Sequence, residues 1–332
     1  MLTQRSMKHV FTLLLALLFF SSCNDGPKKS YKPGSIGAIN SVGVVISNEL
    51  WEGPVGDKLR EYFAAPVVGL TWDEPIFSLE QMPQKVFTGT TRHRRAVLFV
   101  DLDTVNVAHV KTDLYATPQE IGVIKGRTQE EIIENIETHA EEIIKAITEM
   151  ELKETQKRFL RSLNKEKILE EKFGVTLSLP SIYKLGKQED NFVWIDREIQ
   201  KGSMNLIAYE IPWNSLSNDS TFVTDFIRLR DSIGEKYIPG PDFPDKKTYM
   251  TTEDAFAPYF FETEIDGRRT VEARSIWDIE NYPMAGPFVT FIMDDEKNNR
   301  KLVVEGFTFA PATNKRDYMF ELEAIIRTIK FK

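Results

Sequence analysis

Residues 259–277 read YFFETEIDGRRTVEARSIW, two runs rich in aromatic and β-branched residues on either side of Asp266-Gly267. An Asp-Gly pair suits the two positive-φ positions of a tight hairpin, so 259–265 and 269–277 are expected to be antiparallel neighbours. Toward the C terminus, 288–293 and 302–309 repeat the pattern across the polar turn 294–299. The chain then ends in a helix whose apolar face is Tyr318, Leu322, Ile325, Ile326 and Ile329. Toward the N terminus, 175–179, 192–197 and 206–211 are strand-like, and Asp219 or Ser220 caps a helix with Phe222, Phe226, Leu229 and Ile233 on one face. The order β-β-β-α-β-β-β-β-α predicts an antiparallel sheet with helices packed on it.

Further upstream, 42–47, 96–102, 106–115 and 121–125 carry the short apolar runs of strands. Between the first two, Trp51, Val55, Leu59 and Phe63 recur at steps of four after Asn48, a helix with its cap. Residues 128–172 contain neither glycine nor proline, and Thr128 with Glu131 forms a capping box. Ile132, Ile136, Ala140, Ile143, Ile147 and Met150 hold one stripe, whereas Leu152, Phe159 and Leu163 sit on a shifted one, which predicts a break near 150–155. The expected fold is α+β in two domains, each a mainly antiparallel sheet with packed helices. The first, 41–171, is an α/β unit ending in the long helical segment, and the second, 172–332, ends in the terminal helix.

The N terminus sets the expected location. Arg5 and Lys8 precede an apolar run over residues 10–20, shorter than the roughly 20 residues that span a bilayer, so 1–22 reads as an export signal. Ser21, Ser22 and Cys23, the one cysteine in the chain, resemble the lipobox of bacterial lipoproteins, in which the cysteine is lipidated and becomes the first residue. Residues 23–40, rich in glycine, proline and lysine, then form a flexible tether. Loss of Arg5 and Lys8 and of no acid moves the formal charge from -8 to -10. Such a body repels nucleic acid, and its membrane contact is expected through the lipid anchor alone.

The stretches DEPIF (73–77), FGVTLSLPSIYKL (173–185), EGFTFAP (305–311) and KRDYMFELEAI (315–325) resemble the bacterial lipoproteins grouped as domain of unknown function 4837. That likeness covers nearly all of the expected mature chain and agrees with the lipobox, but it supplies no activity. The order of strands and helices in the C-terminal half is also similar to the fold shared by the photosystem II subunit PsbP and the nuclear-transport factor Mog1. This second resemblance implies a binding module.

Catalytic candidates are few. VLFVDLDTV (97–105) delivers Asp101 and Asp103 at a strand end, and resembles the first motif of haloacid-dehalogenase-type phosphatases. There, one aspartate attacks phosphorus and the other handles the proton. FVTFIMDD (288–295) ends in Asp294 and Asp295, which resemble the magnesium-binding pair of that superfamily. No motif serine, threonine or lysine is assignable between them, and His93, His109 and His139 have no metal-ligand spacing. No cofactor is expected. Among the aromatic residues that could line a groove, Trp72, Trp194, Trp213, Trp277, Tyr209, Tyr259 and Phe260, the position of Trp213 after Pro212 makes it the best placed, with Tyr209 beside it. Asp103-Thr104-Val105, Asp219-Ser220-Thr221 and Asp231-Ser232-Ile233 resemble O-glycosylation triplets of Gram-negative envelope proteins, with Thr104, Ser220 and Ser232 as acceptors. The expected function is a lipid-anchored, periplasm-facing, non-catalytic module for an envelope protein, peptide or glycan. The alternative is a magnesium-dependent phosphohydrolase built on Asp101 and Asp103.

Overall fold

The smaller of two main sheets is built from β1 (Ser41–Val45), β2 (Ser78–Met82), β3 (Ala96–Leu102), β4 (Val107–Thr112) and β5 (Glu120–Gly126), in the order β2-β1-β3-β5-β4. The computed structural model describes residues 31–217 and 219–332, and Gly34–Lys332 pack as one unit. The expected signal and Cys23 lie outside the described residues. The α+β class holds, but the smaller sheet departs from the antiparallel expectation: β1–β2, β1–β3 and β3–β5 are parallel, and only β4–β5 is antiparallel. Parallel neighbours require crossovers, and β1 reaches β2 through α1 (Asn48–Glu52) and α2 (Pro54–Phe63). The single helix expected here is two, because Gly53 leaves helical geometry and Pro54 starts the second. Ser47, not Asn48, caps the first, accepting from the Leu50 amide at 3.2 Å.

α3 (Gln129–Phe159) covers one face of this sheet with the predicted stripe from Ile132 to Met150. No break occurs at 150–155. The shift of stripe marks a change of partner instead: Phe159 at the far end belongs to the core of the larger sheet, and Gln156 donates to the Ala324 carbonyl at 3.1 Å. At the changeover, Arg95 Nε donates to Glu151 Oε2 at 2.9 Å with both side chains buried. Burial raises the Glu151 carboxyl to about 6 against the opposing pull of Arg95. A carboxyl raised on folding favours the folded state below its unfolded value, and that contribution is lost as pH rises through the folded value. The stability difference between the parent and Glu151→Gln should therefore fall by about 2 kcal/mol from about pH 4.5 to about pH 7, read from denaturation midpoints. A difference that does not change with pH would refute the burial-driven shift.

The larger sheet follows α4 (Ile168–Phe173) and the short β6 (Val175–Thr176). Its strands are β7 (Lys184–Glu189), β8 (Phe192–Ile199), β9 (Gly202–Pro212), β10 (Met250–Thr252), β11 (Tyr259–Ile265), β12 (Arg268–Ile279), β13 (Tyr282–Asp295) and β14 (Arg300–Phe309). They run in the order β10-β12-β13-β14-β9-β8-β7, with β11 also on β12, and every pairing is antiparallel. Asp266 and Gly267 both take positive φ, 52° and 72°, as the hairpin requires. Alternation along these strands feeds two cores. One face packs under α5 (Phe222–Tyr237), the other under α6 (Arg316–Ile326), and β15 (Lys330–Phe331) closes on β6. Gly306 permits the second contact, since a Cβ there would lie 2.8 Å from Leu322 Cβ. No helix among the described residues is long and apolar enough to cross a membrane.

Charges join these layers. Arg274 and Arg327 alternate with Glu272 and Glu323 between β12 and α6, at 2.5–2.8 Å. Burial would raise Glu323, but the two guanidiniums outweigh it and hold the carboxyl below its ordinary value. The N-cap position of α6, Lys315, supplies no side-chain cap. Glu74, from the loop before β2, replaces it by accepting from the Lys315 amide at 2.7 and 2.9 Å and the Arg316 amide at 2.8 Å. Lys315 Nζ lies 3.7 Å from the centre of the Trp72 ring, so the same loop holds the ammonium as well.

Candidate functional site

A cleft of about 460 Å³ opens where the first turn of α5 leaves the larger sheet. Val271 and Ile292, from β12 and β13, line it beside Leu216, Phe222 and Phe260. The rings of Phe222 and Phe226 meet that of Phe260 edge to face, centroids 5.2 and 5.3 Å apart, which holds the aromatic wall in one arrangement. Every second residue of β12 and β13 points to this face, so the apolar lining follows from strand alternation alone.

Two ion pairs border the apolar lining. Arg269 meets Glu262, and Lys301 Nζ meets Asp294 Oδ1 at 2.5 Å. Lys301 also lies 4.4 Å from the centre of the Trp213 ring, so the tryptophan shields the inner pair from one side. Asp219 lies at the mouth, its carboxyl held below the usual range by the Thr221 amide, which donates to it at 2.8 Å. Beside the cleft, β11 pairs with β12 only, leaving its outer edge without a strand partner among the described residues. The arrangement suits a ligand with an apolar group and both signs of charge; it presents no nucleophile beside a base.

The residues that the alternative, phosphatase reading needs are not brought together. Asp101 and Asp103 end β3 in the smaller sheet, whereas Asp294 and Asp295 end β13 in the larger. Asp103 is taken by Lys125 at 2.6 Å, which holds its carboxyl below the usual range and unsuited to carry a proton. Asp295 is buried against Arg300 at 2.8 Å and Arg268 at 3.4 Å. Among the described residues no three of His, Cys, Asp or Glu stand close enough to hold a metal ion, so the four-aspartate site of the alternative reading is not assembled. The physical reason is neutralisation: three of the four acids already face a cation.

Tyr209 also requires correction as a binding residue. Its strand lies between β8 and β14, and its side chain points under α5, where only 1% is exposed. Trp213 is half-buried against Lys301 at the edge of the cleft. Thr104, Ser220 and Ser232 are exposed, although Ser232 donates to the Leu229 carbonyl within its helix. Phe260 lines the cleft as one of the weighed aromatics. Arg269, Lys301 and Phe222 were not anticipated; the pairing of Asp294 with Lys301 was the available signal, since they stand opposite each other across the predicted hairpin.

Fold and cleft together define a two-sheet α+β protein with an apolar recess bordered by ion pairs. The model for the domain of unknown function DUF4837 matches residues 162–328, and the chain belongs to that family. A second model, domain of unknown function DUF8532, matches residues 35–160. No curated protein matches the chain. Similar solved structures include a protein from Bacteroides thetaiotaomicron VPI-5482, at 10% identity and TM-score 0.25, over 48% of this chain and 45% of that one. Human StAR-related lipid transfer protein 5 is similar at 10% identity and TM-score 0.24, over 53% of this chain and 92% of that one. The human StarD13 (DLC2) lipid transfer and protein localization domain is similar at 9% identity and TM-score 0.21, over 44% and 88%. The chain spans less than half of the first of these structures, and likenesses at these scores carry no conclusion.

Proposed function

We propose that the chain is a lipid-anchored binding module of a bacterial envelope, attached through Cys23, and that its larger-sheet cleft takes a peptide segment. The observation that carries the binding reading is the adjacency of an apolar cleft to the unpaired edge of β11. An extended peptide pairing with that edge turns alternate side chains toward Phe260 and Val271, while Arg269, Lys301 and the neighbouring acids receive its charges. A sugar face would need open, flat rings, and the aromatic side chains here stand edge-on to each other. Attachment rests on the lipobox resemblance and on the proline- and glycine-rich stretch after it.

The full chain, extracted from membranes of cells grown on labelled palmitate, tests both halves. The label should travel with the protein, and peptides selected on it should bind Arg269→Ala about tenfold more weakly, with melting unchanged. Arg269 lines the cleft on the same face as Val271 while remaining exposed, so this variant perturbs the site and not the core. An unlabelled protein would remove the anchor; peptides that bind parent and variant alike, or selection of glycans in their place, would remove the peptide cleft.

A further inference from the structure

A second recess, about 410 Å³, lies where the end of α3 meets β8 and the first turns of α6. Its chemistry differs from that of the first cleft. Thr155 lines it, is only 7% exposed, and its hydroxyl has no hydrogen-bond partner. Arg197 lines it too, and its buried Nε–H is likewise unpartnered although Nη1 donates to Glu321 Oε1 at 2.5 Å. A buried donor left without an acceptor costs about 1–3 kcal/mol, so two at one recess point to an acceptor that arrives from outside.

Two more guanidiniums stand at the same place. Arg158 uses Nε on Glu154 and keeps its other donors, and exposed Arg161 makes no ion pair among the described residues. The carboxylates in the recess are already engaged: Glu321 by Arg197 and the Tyr183 hydroxyl, Asp317 by Arg316 and Asn40. What remains is donor capacity without an acceptor. Opposite it the lining is apolar, with Phe320 and an Ile182 side chain that is 53% exposed at the lip.

We propose that this recess binds a phosphate ester, its oxygens received by Thr155, Arg197, Arg158 and Arg161 and its apolar substituent lying along Ile182 and Phe320. Donors from four separate side chains suit a tetrahedral oxyanion, whereas a planar carboxylate is satisfied by one guanidinium fork. The ester is either a soluble phosphate compound or the head group of a membrane lipid. The inference goes beyond the peptide cleft and does not rest on it, because the two recesses share no lining residue.

The test is calorimetric titration of the full chain in neutral detergent with inorganic phosphate, glycerol 3-phosphate and dihexanoyl phosphatidylglycerol. Saturable binding is expected, weakened about fivefold or more by Arg161→Ala and by Thr155→Val. The phospholipid binding tenfold or more tighter than glycerol 3-phosphate supports the site with a lipid as source; equal affinities support it with a soluble ester. Should Thr155→Val fail to fold, the exposed Arg161→Ala decides. No saturable binding of any of the three, or affinities that Arg161→Ala leaves unchanged, overturns the proposal. Arg269→Ala should not move these affinities, so a failed cleft and a failed phosphate site give different results.

Discussion

Glu305→Leu is expected to destabilise the protein by about 3–5 kcal/mol, the cost of leaving a buried guanidinium without its partner. Arg230, on α5, donates to both carboxylate oxygens of Glu305 on β14, Nη2 to Oε1 at 2.8 Å and Nε to Oε2 at 3.0 Å. Their side chains are 4% and 1% exposed. Thr290 Oγ1 donates to the same carboxylate at 2.7 Å, and Arg230 Nη1 reaches the Thr251 carbonyl and Thr252 Oγ1, each at 3.0 Å. The guanidinium also lies 3.8 Å from the centre of the Phe288 ring. Helix α5 is therefore pinned to the sheet by a buried ion pair and the threonines that complete its hydrogen bonds.

Because two charges lose their hydration on burial, exchanging both for apolar groups costs far less than removing one. Arg230→Met combined with Glu305→Leu should recover most of the lost stability, short of the bonds to Thr251 and Thr252. Guanidinium denaturation midpoints of the parent, both single variants and the double variant give the coupling directly. A single variant that loses less than about 1 kcal/mol, or a double variant as unstable as the sum of the singles, would show that the pair is not desolvated in this way.

The second large effect is at Glu74. Its carboxylate accepts from the amides of Lys315 and Arg316, residues more than two hundred positions later, and so completes the N-terminus of α6. Hydrogen bonds to a charged acceptor are worth about 1.5–3 kcal/mol each, and the positive end of the helix dipole adds to them. Glu74→Ala should cost about 3 kcal/mol and Glu74→Gln about half of that, since the amide oxygen still accepts but carries no charge. Burial already holds the Lys315 ammonium below its ordinary value, with Glu74 opposing that shift, so loss of the acid leaves the lysine less supported as well. Hydrogen exchange at the amides of Lys315 and Arg316 should accelerate in Glu74→Ala before the rest of the larger sheet opens. Unchanged exchange there would show that α6 does not depend on this cap.

Much of the fold was legible because its rules act over a few residues. The Asp266-Gly267 turn depends on two adjacent positions that tolerate positive φ, and it formed as read. The apolar faces of α3 and α6 follow from helical spacing and nearly all of their predicted residues are buried, whereas of the four predicted for α5 only Phe226 is fully buried. β7 was not legible, since KLGKQE is an edge strand exposed along most of its length and carries no apolar alternation. The shifted stripe of α3 was visible but ambiguous: a helix that breaks and a helix that changes partners produce the same pattern.

The candidate sites were less legible for a different reason. Trp213 and Phe260 could be named as ring candidates, but whether Tyr209 points into solvent or into the core depends on which strands flank β9. The recess of Thr155 and Arg197 draws on a helix end, a strand and a second helix far apart in the chain. The acids at 101, 103, 294 and 295 have the right residue types, and only their placement on two sheets shows that they do not meet.

The sequence by itself determined the local elements, the hairpin order of the larger sheet, the acidic balance of the chain and the resemblance that led to its family. The tertiary structure alone decided the strand directions in the smaller sheet, the partner of Glu74, the burial of Tyr209 and the two recesses. Periodicity and turn chemistry are set by neighbours along the chain, whereas burial, charge pairing and cavities are set by which distant segments return to the same place, and a single sequence does not state that.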